Sequence, residues 1–500
     1  MGRKSAALGT ILYCFLGFLY CAKFGGPEKP PIARAVGGGE YFFTDTVYLD
    51  ASGSYDPQGR PLTYIWNAPG TLPFGEIIDS LPRHRFLGLP KGTYTFTLTV
   101  FDGFFYSKPD QLIDTITGAD IIVTKDPGRF PGGKVFEKLS LGLTAAKSGD
   151  TVFVDSGSYD DSVSIVTNDL FIYGPSSNKP IIDGKNFSFA PISIFGAVDV
   201  TLKNLVITGA AEAPDCGGIV INNSSNVRIG NCRIFQNQSD GVHIVGSGNR
   251  GVVRIDSCSI DNNKYSGVWC DGSTISMSNC IFFNNAATKT DTSKHTAALF
   301  IDSSSGSTVS LNANTFLQSN DFQVWNDGPS VVNANYNVFD SVFGGFYIPS
   351  QSNAVVTMAN NRFNHVRTHC IWCQGVSGVD LTVQQDSLSS LLTPIWCDGA
   401  KNVSIVNNAI TFDKAAGRDI TQKGIDLGGC DSGEIAGNSI NGFLIGIILN
   451  QAPVRLVGNT FIKDSVCLCN YMSANNPPDL AGINDWSGCI VDTTSIYLVP

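Results

Sequence analysis

Basic residues are scarce in this chain. Its 33 Lys and Arg stand against 43 Asp and Glu, for a formal charge of −10 at pH 7. Phosphate backbones are bound through clustered Lys and Arg, so this balance argues against nucleic acid as a partner. Also missing is an apolar run that would span a bilayer comfortably, which takes ~20 residues. The nearest candidate, Ala6 to Tyr20, follows Arg3 and Lys4 and has the length of a signal-peptide core. No His or Cys spacing suits a metal site, and no metal ligand is assigned.

Repetition takes the place of these features. From Ile219 to Leu449 a short triplet returns about every 25 residues, apolar at its first and third positions. The copies are Ile219-Val-Ile221, Val242-His-Ile244, Val268-Trp-Cys270, Leu299-Phe-Ile301, Phe322-Gln-Val324, Phe346-Tyr-Ile348, Ile371-Trp-Cys373, Ile395-Trp-Cys397, Ile425-Asp-Leu427 and Ile447-Ile-Leu449. Strict alternation marks strands with one buried face. Strands this short cannot bury that face alone, so the copies must stack. Each repeat adds a second triplet, such as Val253-Arg-Ile255 or Leu381-Thr-Val383, and a third apolar step, such as Ile281-Phe282 or Phe339.

Three strands per turn, joined by Asn-, Ser- and Gly-rich corners, resemble the right-handed parallel β-helix repeat family. Its members include pectate lyases, polygalacturonases and phage tailspike hydrolases. The resemblance covers roughly residues 135–466 and implies an all-β fold with about twelve coils. An amphipathic stretch, Val135 to Ala146, is expected to cover the open end of the first coil, whose core and strand edges would otherwise face water. The β-helix is assigned to residues 125–466 and a C-terminal cap to 467–500.

Ahead of it, residues 34–124 alternate around a Pro/Gly turn, as in Thr46 to Trp66 and Gly92 to Gly103. This unit resembles a PKD domain, an immunoglobulin-like β-sandwich. The resemblance implies a spacer or binding accessory, with Trp66, Tyr94, Phe96, Leu98 and Val100 in its core. Residues 1–21 resemble a bacterial lipoprotein signal with Cys21 as the lipid-bearing residue, and 22–33 read as a tether. Ordinary secretion with cleavage and an uncleaved anchor are the other two outcomes of such a segment. All three export the chain. Disulfides are then permitted, and Cys467, Cys469 and Cys489 in the irregular C-terminal segment are the expected formers. Cys232, Cys258 and Cys280 sit at equivalent corners and should stack in a row. Cys270, Cys373 and Cys397 should point inward as apolar filler.

The middle positions of the first triplet face outward. In order they are Val220, His243, Trp269, Phe300, Gln323, Tyr347, Trp372, Trp396, Asp426 and Ile448. Aromatic rings repeated on an outer face are unusual for a soluble surface. Such rings suit the apolar faces of sugars, so Trp269, Phe300, Tyr347, Trp372 and Trp396, with Asp398 and Asp426, are candidate polysaccharide contacts. Burial of the stripe under a loop or partner is the competing expectation. Asp271 and Asp302 follow the triplets of neighbouring coils, and paired carboxylates are what a glycosidase uses. His243 is a candidate proton carrier beside them. Asp-Gly and Asp-Ser after a strand are equally the residues of ordinary turns. A lyase would instead call for Ca²⁺ on carboxylates and a basic group, yet the outward columns hold no Arg or Lys. The chain has no Arg-x-Pro-x-x-Arg of pectate lyases and none of the Asn-Thr-Asp, Asp-Asp and Gly-His-Gly motifs of polygalacturonases. No catalytic residue is carried over from those families. The expected function is polysaccharide binding at the cell surface, with cleavage or a purely adhesive role as alternatives.

Overall fold

The computed structural model describes residues 28–42, 46–67, 77–87, 91–130, 134–247, 251–286, 296–302, 305–349, 353–375, 378–413, 422–470, 484, 485, 487 and 489. The signal-like segment, Cys21 and most of the C-terminal cap lie outside these residues. The chain divides into two compact units, residues 1–120 with 126–134 and residues 121–125 with 135–500.

The N-terminal unit holds a five-stranded sheet ordered Gly39–Phe42, Asp110–Thr117, Gly92–Phe101, Thr63–Asn67, Ile77–Asp79. Its first pair is parallel and the others are antiparallel. Thr46–Asp50 and Arg83–Leu87 form a separate antiparallel pair. Alternation along Gly92–Phe101 buries Tyr94, Phe96, Leu98 and Val100, and Trp66 is buried with them. Ile121–Val123, expected at the end of this unit, pairs instead with Thr151–Val154 in the second unit.

The second unit is a parallel β-helix with sheets of fifteen, thirteen and thirteen strands. From Thr151–Val154 onward each strand pairs with the strand three later in the chain, so one turn of chain adds one strand to every sheet. The helix Leu139–Ala145 packs on Ile121–Val123, Thr151–Val154 and Val163–Ile165, the first strands of the stack. Close approach there requires glycine, because a Cβ at Gly142 would lie 2.9 Å from Val123 Cγ2. Among the described residues no helix is long and apolar enough to cross a membrane.

Corners are set by hydrogen-bond ladders. At the corner between the first and second sheets, a residue with positive φ precedes an inward polar side chain, as in Asn360-Asn361 and Asn407-Asn408. Asn tolerates that conformation, and its amide then bonds the backbone of the coil before. Asn314, Asn337, Asn361, Asp386, Asn408, Asn438, Asn459 and Asn484 each accept from the backbone N–H of the preceding rung at 2.5–3.1 Å. Cys232 and Cys258 take the same places lower in the stack, with Sγ atoms 3.5 and 3.4 Å from the preceding N–H groups. The expected cysteine row is thus part of a longer ladder, which Cys280 joins to the asparagines.

Between sheets the interior is largely apolar. Phe282, Phe316, Phe339 and Phe363 stack face to face at 4.4–4.8 Å down the second sheet. Cys270, Cys373 and Cys397 are fully buried, and burial pushes the Cys270 thiol up. Cys467 and Cys489 form a disulfide.

Candidate functional site

Register along the third sheet defines the outward file. Pairing runs Val220, His243, Trp269, Phe300, Trp325, Tyr347, Trp372, Trp396, Asp426, Ile448. One expected member is displaced: the fifth triplet is Val324-Trp325-Asn326, and Gln323 turns inward with 1% exposure. The four Trp residues of the file are four of the six in the chain.

The stripe is covered on some coils and partly open on others. At the N-terminal end, Val220 is buried under Ala190, Ala210 and Cys216, and Ala213 packs on that cluster. His243 is 3% exposed and Phe300 is equally covered. From Trp325 to Asp426 the file is partly buried, with the indole Nε1 atoms of Trp325 and Trp372 covered and the rest of each side chain open in part. The usable surface is therefore the run Trp325, Tyr347, Trp372, Trp396, Asp426.

Its rings do not lie flat. Trp372 and Trp396 are nearly parallel, 13° apart, with centroids at 5.3 Å. Indoles lying side by side in one plane cannot come that close, so these two are stacked with a slip. Tyr347 meets Trp325 edge-on at 4.6 Å and Trp372 at 5.0 Å and 54°. Ring edges and partial faces, rather than a flat pavement, form the surface.

A second outward file stands three residues ahead of the first. Phe322 stacks on Tyr347 at 5.0 Å. His369 lies 5.2 Å from Trp372 and 5.5 Å from Trp396. Lys423 reaches Asp426 at 2.7 Å, and Asp240 reaches His243 at 2.9 Å. Simple alternation would turn these residues inward, so sequence reading missed them. His369 Nδ1 lies 2.6 Å from the Thr393 carbonyl, which can only accept, so Nδ1 carries the proton. Burial holds its pKa below the usual imidazole value.

The sequence profile of the right handed beta helix region family matches residues 162–313 and 217–410. Among solved structures, the surface adhesin PfbA of Streptococcus pneumoniae is similar at 13% identity, over 65% of this chain and 86% of that one, with TM-score 0.42. The A-module of the mannuronan C-5 epimerase AlgE6 of Azotobacter vinelandii matches at 13% identity, over 69% and 94%, with TM-score 0.44. The alginate lyase of Paenibacillus sp. matches at 13%, over 60% and 91%, with TM-score 0.34. No curated protein matches the chain. This is a right-handed β-helix protein.

On this β-helix the carboxylate pair extends by one. Cys270 pairs with Ile301, and the following residues Asp271 and Asp302 continue on adjacent coils. The backbone N–H of Asp302 donates to the Cys270 carbonyl at 2.9 Å, and that of Asp327 donates to the Ile301 carbonyl at 2.9 Å. Asp271, Asp302 and Asp327 thus form a file of three beside the aromatic one. The register slip hid Asp327, because a triplet read as Phe322-Gln-Val324 puts Trp325 in the following position. Asp327 also adds to burial in raising the Tyr347 hydroxyl pKa. His243 is not an open groove residue: its Nδ1 bonds Asp240, its ring stacks on Trp269 at 4.2 Å, and its buried Nε2 faces Asp215 Oδ1 at 3.9 Å. Among the described residues no group of three or more His, Cys, Asp or Glu side chains is placed to hold a metal ion.

Proposed function

We propose that this β-helix protein binds polysaccharide along the third-sheet face from Trp325 to Asp426. The observation that carries the reading is the outward, partly buried run of Trp325, Tyr347, Trp372 and Trp396 on four consecutive coils, bordered by polar Gln374, Asp398 and Asp426. Partly open rings on the outer face of successive coils add nothing to the interior, while sugars offer both apolar ring faces and hydroxyls to such a surface. Tyr347 Oη already donates to Gln374 Oε1 at 2.8 Å, so the polar border is fixed in place.

The chain is read as exported, with the lipid on Cys21, a PKD-like unit as spacer and the β-helix as the glycan-binding part. A second reading, cleavage as well as binding, is favoured by the file Asp271, Asp302 and Asp327. A hydrolase would use two of these carboxylates as acid and base or nucleophile. A lyase would need Ca²⁺ on carboxylates, and among the described residues these three are not grouped to hold it.

Purified protein is screened on a panel of polysaccharides, with binding and product release measured together and Asp271→Asn and Trp372→Ala alongside. Binding that weakens at least about tenfold in Trp372→Ala is the expected result. Product that disappears in Asp271→Asn while binding persists would establish cleavage. Undiminished binding in the Trp372 variant would remove the aromatic face from the account.

A further inference from the structure

Resting on that reading, we infer that the ring face of Trp396 turned toward Asp426 is the principal sugar subsite, and that it takes a neutral pyranose. Trp396 is the last ring of the file. Slipped stacking places Trp372 over one of its faces, and His369 borders the same side at 5.5 Å. On the next coil the residue in register with Trp396 is Asp426, a short polar side chain. The second indole face therefore meets a carboxylate instead of another ring. Elsewhere in the run the rings crowd one another: Tyr347 has Phe322, Trp325 and Trp372 around it within 5.0 Å.

The polar groups around that face define the ligand. Asp426 is held by Lys423 at 2.7 Å, so the ammonium is already neutralised by a partner in the protein. Asp398, on the Trp396 coil, is exposed and extends beside Gly428, where a Cβ would come within 2.8 Å of its Oδ1. Glycine at 428 is what leaves that room. Among the described residues around that face, two carboxylates stand against one ammonium, a net negative charge. A sugar carboxylate would be repelled there, since like charges without compensation destabilise a complex. The vicinal hydroxyls of a neutral sugar can donate to Asp426 and Asp398 and accept from Lys423, while the ring C–H face lies on the indole.

Calorimetric titration of the whole protein with neutral and with uronic-acid oligosaccharides of matched length tests this. Neutral sugars should bind more tightly. Trp396→Ala should weaken that binding at least about tenfold, and the near-isosteric Asp426→Asn by a comparable factor with an unchanged melting temperature. Asp398→Lys should narrow or reverse the preference for neutral sugars. Tighter binding of the uronic series to the native chain, or full affinity in both the Trp396 and Asp426 variants, would overturn the subsite while leaving glycan binding along the face intact. Absence of binding by either series would overturn the subsite and the proposed function together.

Discussion

Asp386→Asn is expected to stabilise the β-helix by on the order of 4 kcal/mol above about pH 7, and by little near pH 4. Asp386 stands in the corner ladder where the coils on either side have asparagine. Its Oδ1 accepts from the backbone N–H of Asn361 at 2.5 Å and from its amide at 3.1 Å. Its Oδ2 is buried without a protein partner. The flanking rungs show what belongs there: Asn361 Nδ2 donates to the Ala334 carbonyl at 2.8 Å, and Asn408 Nδ2 to Val383 at 2.9 Å. Burial pushes Asp386 up to about 7, well above the ~3.9 of an ordinary aspartate. A carboxyl whose folded value is raised supports folding fully below its unfolded value, and that support is lost as pH rises through the folded one. Asparagine supplies the missing donor at every pH. Denaturant midpoints measured from about pH 4 to 8 should diverge between the two proteins. Parallel profiles would show that Asp386 is not strained by its charge. Asp464, buried and also raised to about 7, keeps part of the slope in both.

Asn326→Val should add about 2 kcal/mol of stability at all pH values. Asn326 occupies the inward third position of its triplet, beside Ile301 on the preceding coil, where the other coils carry Ile, Cys or Leu. It is 1% exposed, and neither amide atom has a protein partner. Each polar group buried without a partner costs about 1–3 kcal/mol, and valine of similar volume removes that cost. The change leaves the outward Trp325 in place, so glycan affinity should not move. A lower denaturant midpoint for the valine variant would show that the amide is bonded in solution.

That same asparagine explains the main misreading of the sequence. Apolar-x-apolar spacing located the coils because burial of one strand face enforces it, and nine of the ten triplets lie in register as read. In the fifth, Asn326 breaks the rule, and Phe322-Gln-Val324 satisfies it by accident. The frame therefore slipped by two residues, dropping Trp325 from the stripe and Asp327 from the carboxylate file. Asp240, Phe322, His369 and Lys423 were missed for a different reason. A residue three positions ahead of an outward residue has the wrong parity for alternation, and the chain bends at the residue that follows it. The cover over Val220 comes from residues before its strand, Ala210, Ala213 and Cys216, and no periodicity points to it. Cysteine corners were legible because they repeat the asparagine position.

Hydroxyl-radical footprinting of the protein with and without saturating glycan tests the central claim most directly, since it reports which rings a ligand covers. The account predicts that oxidation of Trp325, Tyr347, Trp372 and Trp396 falls on binding, most at Trp396, while exposed Tyr336 on another face is oxidised equally in both states. Unchanged oxidation of the four rings with glycan bound would contradict it.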